Sequence, residues 1–247
     1  MTRFFLALRF LTVYPFGHDE EVTTEDLVGS TIYYPVVGAL VGMVLFGFWM
    51  WAKSVWPVLL ASSLTVILWE GISAGLHLDG LMDTFDGLGI RGDLERRLTV
   101  MKDSRVGAFG AQAGILAMFL KIAALAALAE NPAFATVLIL APIIGRASMV
   151  ILMGSSVYAR AGGGLGKTFV DLTGKTQILI ALFLLVGFGF AAVGWRIFWI
   201  VLAMTVFFLL LRQFFKHNFG GVTGDILGAT CELLELGVLI VAPLFLA

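Results

Sequence analysis

IYYPVVGALVGMVLFGFWMW, residues 32–51, carries no charged side chain over its whole length. An α-helix rises 1.5 Å per residue, so roughly 20 apolar residues cross a hydrocarbon core of about 30 Å. The stretch reads as a membrane span and sets the scale for dividing the rest of the chain. Further stretches qualify at 55–76, 108–128, 134–155, 177–193, 197–211 and 226–246. The expected fold is an all-α, polytopic transmembrane helical bundle of about seven spans, with residues 1–247 forming a single integral-membrane domain.

Composition agrees. Of 247 residues, 60% are hydrophobic and 13% are charged, against about 25% charged in an ordinary soluble domain. Mean hydropathy is +0.98. The lipid bilayer is the expected partner. A net charge of -1 supplies no basic excess, so nucleic acid is not expected. Cys231 is the single cysteine; it cannot close an internal disulfide, no Cys/His spacing suggests zinc, and it reads as a packing residue. MTRFFLALRFLTVYPF (1–16) resembles a signal peptide only in part. Arg9 interrupts its apolar run and no small-x-small cleavage site follows, so it reads as a retained N-terminal amphipathic helix at the membrane interface.

Lys and Arg favour the cytoplasmic side of a membrane protein. With the N-terminus cytoplasmic, Arg3, Arg9, Arg91, Arg96, Arg97, Lys102, Arg105, Arg160, Lys167, Lys175, Arg212 and Lys216 fall inside, and only Lys53 and Arg196 fall outside. Lys121 and Arg146 lie within spans. The outer connections, around Lys53, Asn131 and Arg196, are short. The inner ones, at 79–107, 158–176 and 212–225, are longer and polar, so a site built on this chain is expected to face the cytoplasm.

The first inner connection opens with HLDGLMDTFDG (77–87). Asp79, Asp83 and Asp86 follow an i, i+4, i+7 spacing, which puts Asp83 about 40° and Asp86 about 20° from Asp79 around a helix, all on one face. Three ionised carboxylates packed this closely repel, unless a divalent cation sits between them; hard oxygen ligands suit Mg²⁺ or Mn²⁺. The plainer alternative is a solvated acidic helix end, which the apolar flanks disfavour. His77 points roughly opposite Asp79 and reads more readily as a membrane-edge histidine than as a catalytic one. Lys102, Asp103, Ser104 and Arg105 precede the span at 108–128. They are candidates for holding phosphate at a helix start, or simple anchors at the membrane edge.

AGGGLGKT (161–168) approaches the phosphate-loop pattern and misses it, because Ala161 stands where the first glycine belongs and no strand precedes it. It reads as a flexible loop with Lys167 near a phosphate. GGVTGD (220–225) opens the last span, with Thr223 a candidate phosphate contact and Asp225 a candidate metal ligand from a second helix. Charges inside a span are costly and are paired or functional; for Glu232 and Glu235, internal salt bridges to Lys121 or Arg146 are expected.

Three segments together, HLDGLMDTFDG (77–87), MKDSRVGAFG (101–110) and GGVTGDILGATCELLEL (220–236), resemble the cobalamin synthase family, also called adenosylcobinamide-GDP ribazoletransferases. YPVVG (34–38) and the GLGK region fit the same likeness. The resemblance implies a multi-pass enzyme of a prokaryotic inner (plasma) membrane. It implies the substrates adenosylcobinamide-GDP and α-ribazole or its 5′-phosphate, release of GMP, a Mg²⁺ requirement, and no fixed oligomeric state; a homo-oligomer is compatible with it. On that basis Asp79, Asp83, Asp86 and Asp103 are the expected catalytic residues. Asp79, Asp83, Asp86 and Asp225 are the expected metal ligands, and Lys102, Ser104, Arg105, Lys167 and Thr223 the expected phosphate contacts.

Two rivals stand beside this reading. CDP-alcohol phosphotransferases share the Asp83-Thr84-Phe85-Asp86-Gly87 start with Arg91 in register, but Ile90 and Val100 break their pattern and its final aspartates are absent. A corrinoid carrier would instead line a path with Glu70, Lys121, Arg146 and Glu232.

Overall fold

The computed structural model describes residues 2–14, 22–131 and 134–246; Met1, Pro15 and Phe16 of the expected N-terminal helix lie outside the described residues. The helices are α1 (Arg3–Leu11), α2 (Thr24–Ser30), α3 (Tyr34–Val55), α4 (Val58–Ile72), α5 (Leu76–Gly89), α6 (Leu94–Val100), α7 (Ala108–Leu128), α8 (Phe134–Ser155), α9 (Leu165–Leu172), α10 (Lys175–Val193), α11 (Ile197–Phe219), α12 (Gly224–Val241) and α13 (Pro243–Leu246). Among the described residues there is no strand, only an isolated bridge between Tyr158 and Val222.

The bundle is organised around α8, which packs against α3, α10 and α12. Apolar tails solvate apolar side chains as well as other helices do, so close backbone approach and interlocking shapes must hold such a bundle. Gly38 and Gly42 supply this on α3. A Cβ on Gly38 would stand 2.4 Å from the Pro142 carbonyl oxygen, and one on Gly42 2.7 Å from Ile139 Cα. The outer surface is apolar: Phe119 on α7 is 65% exposed and Phe183 on α10 is 76% exposed.

The stretch expected to form one span at 55–76 is broken. α4 stops at Ile72, α5 starts at Leu76, and the two axes differ by 87°. Ala74 and Gly75 take φ of 52° and 70° between them, the left-handed region that glycine enters freely and alanine does not. The freed backbone groups are caught locally: Gly75 N–H donates to Glu70 O at 2.8 Å, and Val13 N–H, just past α1, to Ile72 O at 2.8 Å. The aspartates of 77–87 thus sit on a separate helix, not on the tail of a continuous span.

Among the described residues, five helical stretches are long and apolar enough to cross a membrane, or six when α4 and α5 are taken as one broken span. About seven are expected from sequence. The difference lies in Lys175–Phe219, a nearly continuous helical stretch of 45 residues. The chain turns at Gly194, where φ is 61°. Gly189 then faces Ile197, and Leu182 and Leu185 border the same crevice as Val201 and Met204, so α10 and α11 form an antiparallel hairpin.

Charge lies at the centre of the bundle. Lys121 on α7 reaches Glu70 on α4 at 2.8 Å, and Glu232 and Glu235 on α12 at 2.6 and 3.1 Å. Arg146 on α8 pairs with Glu235, and the Lys121 ammonium lies 4.5 Å from the Trp69 ring centroid. The expected pairing of Glu232 and Glu235 with Lys121 and Arg146 is present, with Glu70 added. All five side chains are buried. They close on one another instead of lining a path, which removes the feature on which a carrier would depend.

Candidate active site

α5 buries a face of small and neutral residues, His77, Gly80, Leu81, Thr84 and Gly87, against α12 and the turn before α7. Gly80 is the point of closest approach, since a Cβ there would stand 2.7 Å from the Asp225 carbonyl oxygen. Asp79 is exposed and Asp83 half-buried, one turn apart. Among the described residues no side-chain hydrogen bond or ion pair engages either.

Asp86 behaves differently. Its carboxylate accepts the backbone N–H of Gly107 and of Gly110, each at 2.7 Å, and so satisfies the unpaired donors that open α7. A Cβ on Gly107 or Gly110 would collide with this carboxylate. Asp86 was expected to bind metal; here it is a buried helix cap, because negative charge is stabilised at a helix N-terminus.

Asp225 comes to the site from the first turn of α12. Its carboxylate lies 2.6 Å from the Arg160 guanidinium. Arg160 also donates to Met101 O at 3.5 Å, joining the turn before α7 to the start of α12. The segment carrying Arg160 is fixed by Val222 N–H donating to Val157 O and Ala159 N–H to Val222 O, each at 2.9 Å. In the sequence Arg160 figured only as one inside-facing charge among many; its place beside the Gly-rich loop was the sole hint of more. Asp83 lies in the field of Asp79, Asp225, Asp86 and Arg160.

The expected phosphate contacts are distributed unevenly. Lys102 and Ser104 are exposed on the turn that folds over the end of α5. Asp103 accepts from Arg105 at 2.6 Å, and these hydrogen bonds hold its carboxyl down to about 2; a carboxylate so stabilised is a poor proton acceptor. Lys167 is ion-paired with Asp171, one turn on along α9. Thr223 is fully buried, and its hydroxyl caps α12 by accepting from Ile226 N–H at 3.2 Å. It is therefore taken up by structure, not open to a substrate.

Among the described residues no three Asp, Glu, His or Cys side chains converge into a ready metal cage. What Asp79, Asp83 and Asp225 provide is hard oxygen from two helices, with two of the three carboxylates unpaired. Mg²⁺ is usually held by one or two carboxylates together with waters and substrate phosphate oxygens. The donor set fits a cation that shares its coordination with a phosphate, not one caged by protein alone.

Asp79 borders two hollows, as do Phe10 and Leu76. An open groove of about 510 Å³ runs past Thr12, Ser73, Gly75 and Met82. A narrower cavity of about 270 Å³ lies between α1, α5, α8, α9 and α12, and Asp225 borders it as well.

A family model described as Cobalamin-5-phosphate synthase matches residues 3–243. A protein from Pseudomonas syringae pv. syringae, named adenosylcobinamide-GDP ribazoletransferase, is 40% identical over 99% of this chain and 100% of its own length. Proteins of the same name from Desulforamulus reducens and Clostridium acetobutylicum are 38% and 34% identical, covering 95% and 94% of this chain and 93% and 91% of their own. No solved structure matches the chain.

Proposed function

The chain belongs to the cobalamin-5-phosphate synthase family, and from that premise we propose that its adenosylcobinamide-GDP ribazoletransferase activity is carried by the aspartates of α5 and the start of α12. The enzyme acts in cobalamin biosynthesis. It moves the cobinamide phosphate of adenosylcobinamide-GDP onto α-ribazole or its 5′-phosphate. A ribose hydroxyl oxygen attacks the phosphorus bearing cobinamide, the bond from that phosphorus to the bridging oxygen breaks, and GMP leaves with that oxygen.

The observation that carries the assignment of roles is the placement of Asp79, unpaired, at the border of both hollows. A carboxylate between an acceptor and a donor pocket is positioned to take the proton of the attacking hydroxyl. Asp83 and Asp225 are the ligands for Mg²⁺, which when bound offsets negative charge on the phosphates as the transfer proceeds. Arg160 fixes Asp225, and Lys102, Ser104 and Lys167 are assigned to the phosphate chain, Lys167 after leaving its pairing with Asp171. Asp103, tied to Arg105, has no part in proton transfer.

The same reading sets the chain in a prokaryotic inner membrane with seven spans, α4 and α5 forming a broken one and α10 and α11 one each. The N-terminus and the aspartates face the cytoplasm. Its support is the basic side chains that share the aspartate end of the bundle, Lys102, Arg105, Arg160 and Lys167 among them.

The test is GMP release from adenosylcobinamide-GDP by the purified full-length protein in detergent, with and without α-ribazole and with and without EDTA. GMP formed only with acceptor, lost in EDTA and restored by Mg²⁺ is the expected result. GMP release without acceptor sinks the transferase reading. Turnover that survives EDTA sinks the metal assignment alone.

A further inference from the structure

His77 is a buried polar group that the roles given above leave unexplained. It is 1% exposed, and neither ring nitrogen has a hydrogen-bond partner. Buried polar atoms without partners are few in folded proteins and are costly, so a missing partner calls for a cause. His77 borders the cavity of about 270 Å³ that opens beside Asp79 and Asp225.

The walls of that cavity are suited to one kind of guest. Phe10 and Phe169, with ring centroids 5.3 Å apart, stand together in its lining. Met149 and Met153 of α8 also line it. Aromatic rings and the polarisable thioether of methionine both favour flat aromatic guests. The volume lies just under the roughly 300–1,000 Å³ of ordinary small-molecule pockets, which admits a bicyclic ring and excludes a corrin macrocycle.

We propose that this cavity is the acceptor subsite, taking the benzimidazole ring of the ribazole nucleoside with His77 donating an N–H to the unsubstituted ring nitrogen. The subsite rests on the transferase reading and deepens it. With the ring inside, the attached ribose emerges at the mouth between Asp79 and Asp225, where its hydroxyl meets the proton acceptor. The donor, too large for the cavity, keeps to the open groove on the other side of Asp79.

Two full-length variants test this in detergent: His77→Phe, which keeps the ring volume and removes the donor, and Met153→Trp, which fills the cavity. Each is expected to raise the KM for α-ribazole about tenfold or more while the KM for adenosylcobinamide-GDP stays within about twofold. An unchanged acceptor KM in both variants, or equal rises for both substrates, overturns the subsite. Should neither variant fold, 1-methylbenzimidazole is tested on the wild-type enzyme. Inhibition competitive with acceptor and not with donor supports the subsite; any other pattern, or no inhibition, overturns it. Wild-type turnover in the same assay keeps the two failures apart, since loss of the subsite leaves acceptor-dependent GMP release intact and loss of the transferase reading does not.

Discussion

Two regions of this molecule both gather carboxylates around basic side chains and use them in opposite ways. At the centre of the bundle, Glu70, Glu232 and Glu235 are closed on Lys121 and Arg146. At the end of the bundle, among the described residues, Asp79 and Asp83 stand without partners, and of the three site aspartates only Asp225 is matched by a base. The first arrangement minimises the field of buried ions. The second preserves an excess of negative charge that a cation and a phosphate chain can share. A carboxylate in a membrane protein is therefore read by its partners, not by its depth.

The comparison is most directly broken at Lys121. Removing one member of a buried ion network strands the others, at a cost of roughly 3–5 kcal/mol. Lys121→Met is expected to yield little monodisperse protein and a sharply lower Tm, and Lys121→Met with Glu70→Gln and Glu232→Gln to regain part of it. A wild-type Tm in the single variant would show that water already reaches the cluster.

The open region responds in activity instead. Asp79→Asn should lower kcat by about 10²–10⁴-fold, the range for a lost general base, with Tm retained. Asp83→Asn should abolish turnover at ordinary Mg²⁺ and raise the Mg²⁺ concentration needed for half activity. Parallel loss of Tm in either variant would move that aspartate into the structural class.

Asp86 sharpens the comparison because it shares a helix with both and belongs with the closed group. Asp86→Ala should cost about 1–2 kcal/mol, as other lost caps do. A thermal melt checks this, and a Mg²⁺ titration of the residual activity should keep its wild-type midpoint; a displaced midpoint would return Asp86 to the metal.

The smallest effect is expected at Asp103. Asp103→Asn should change kcat/KM by less than about twofold, as for an exposed pair. The Asp103 carboxyl is held at about 2, so its ionised form and its pairing with Arg105 are present above the unfolded value of 3.8 and are lost only as pH falls through about 2. The pH–rate profile should show no inflection from it at neutral pH, and a profile that differs between wild type and Asp103→Asn would reverse this.

The apolar helices and the internal ion pairs were legible because they follow from one-dimensional rules: apolar length, and the high cost of a lone charge in hydrocarbon. The aspartate face was legible because helical spacing is local. The role of Asp86 was not, since its partners are backbone N–H groups 21 and 24 residues away that any sequence would supply. Nor was the break at Ser73–Gly75, where three small residues inside an apolar run look like ordinary span residues until the left-handed φ values are seen. Arg160 escaped for the same reason as Asp86: its partner Asp225 is 65 residues distant.

The central ion cluster also bears on how the chain is made. Lys121 and its partner Glu235 are separated by 114 residues, so a ribosome delivers α7 and α8 to the translocon long before α12. Over that interval Lys121 and Arg146 lack the glutamates of α12, and their helices are held poorly by lipid. Glu70 on α4 is made before Lys121 and can match it, so Arg146, whose partner is Glu235, is the charge that waits for α12.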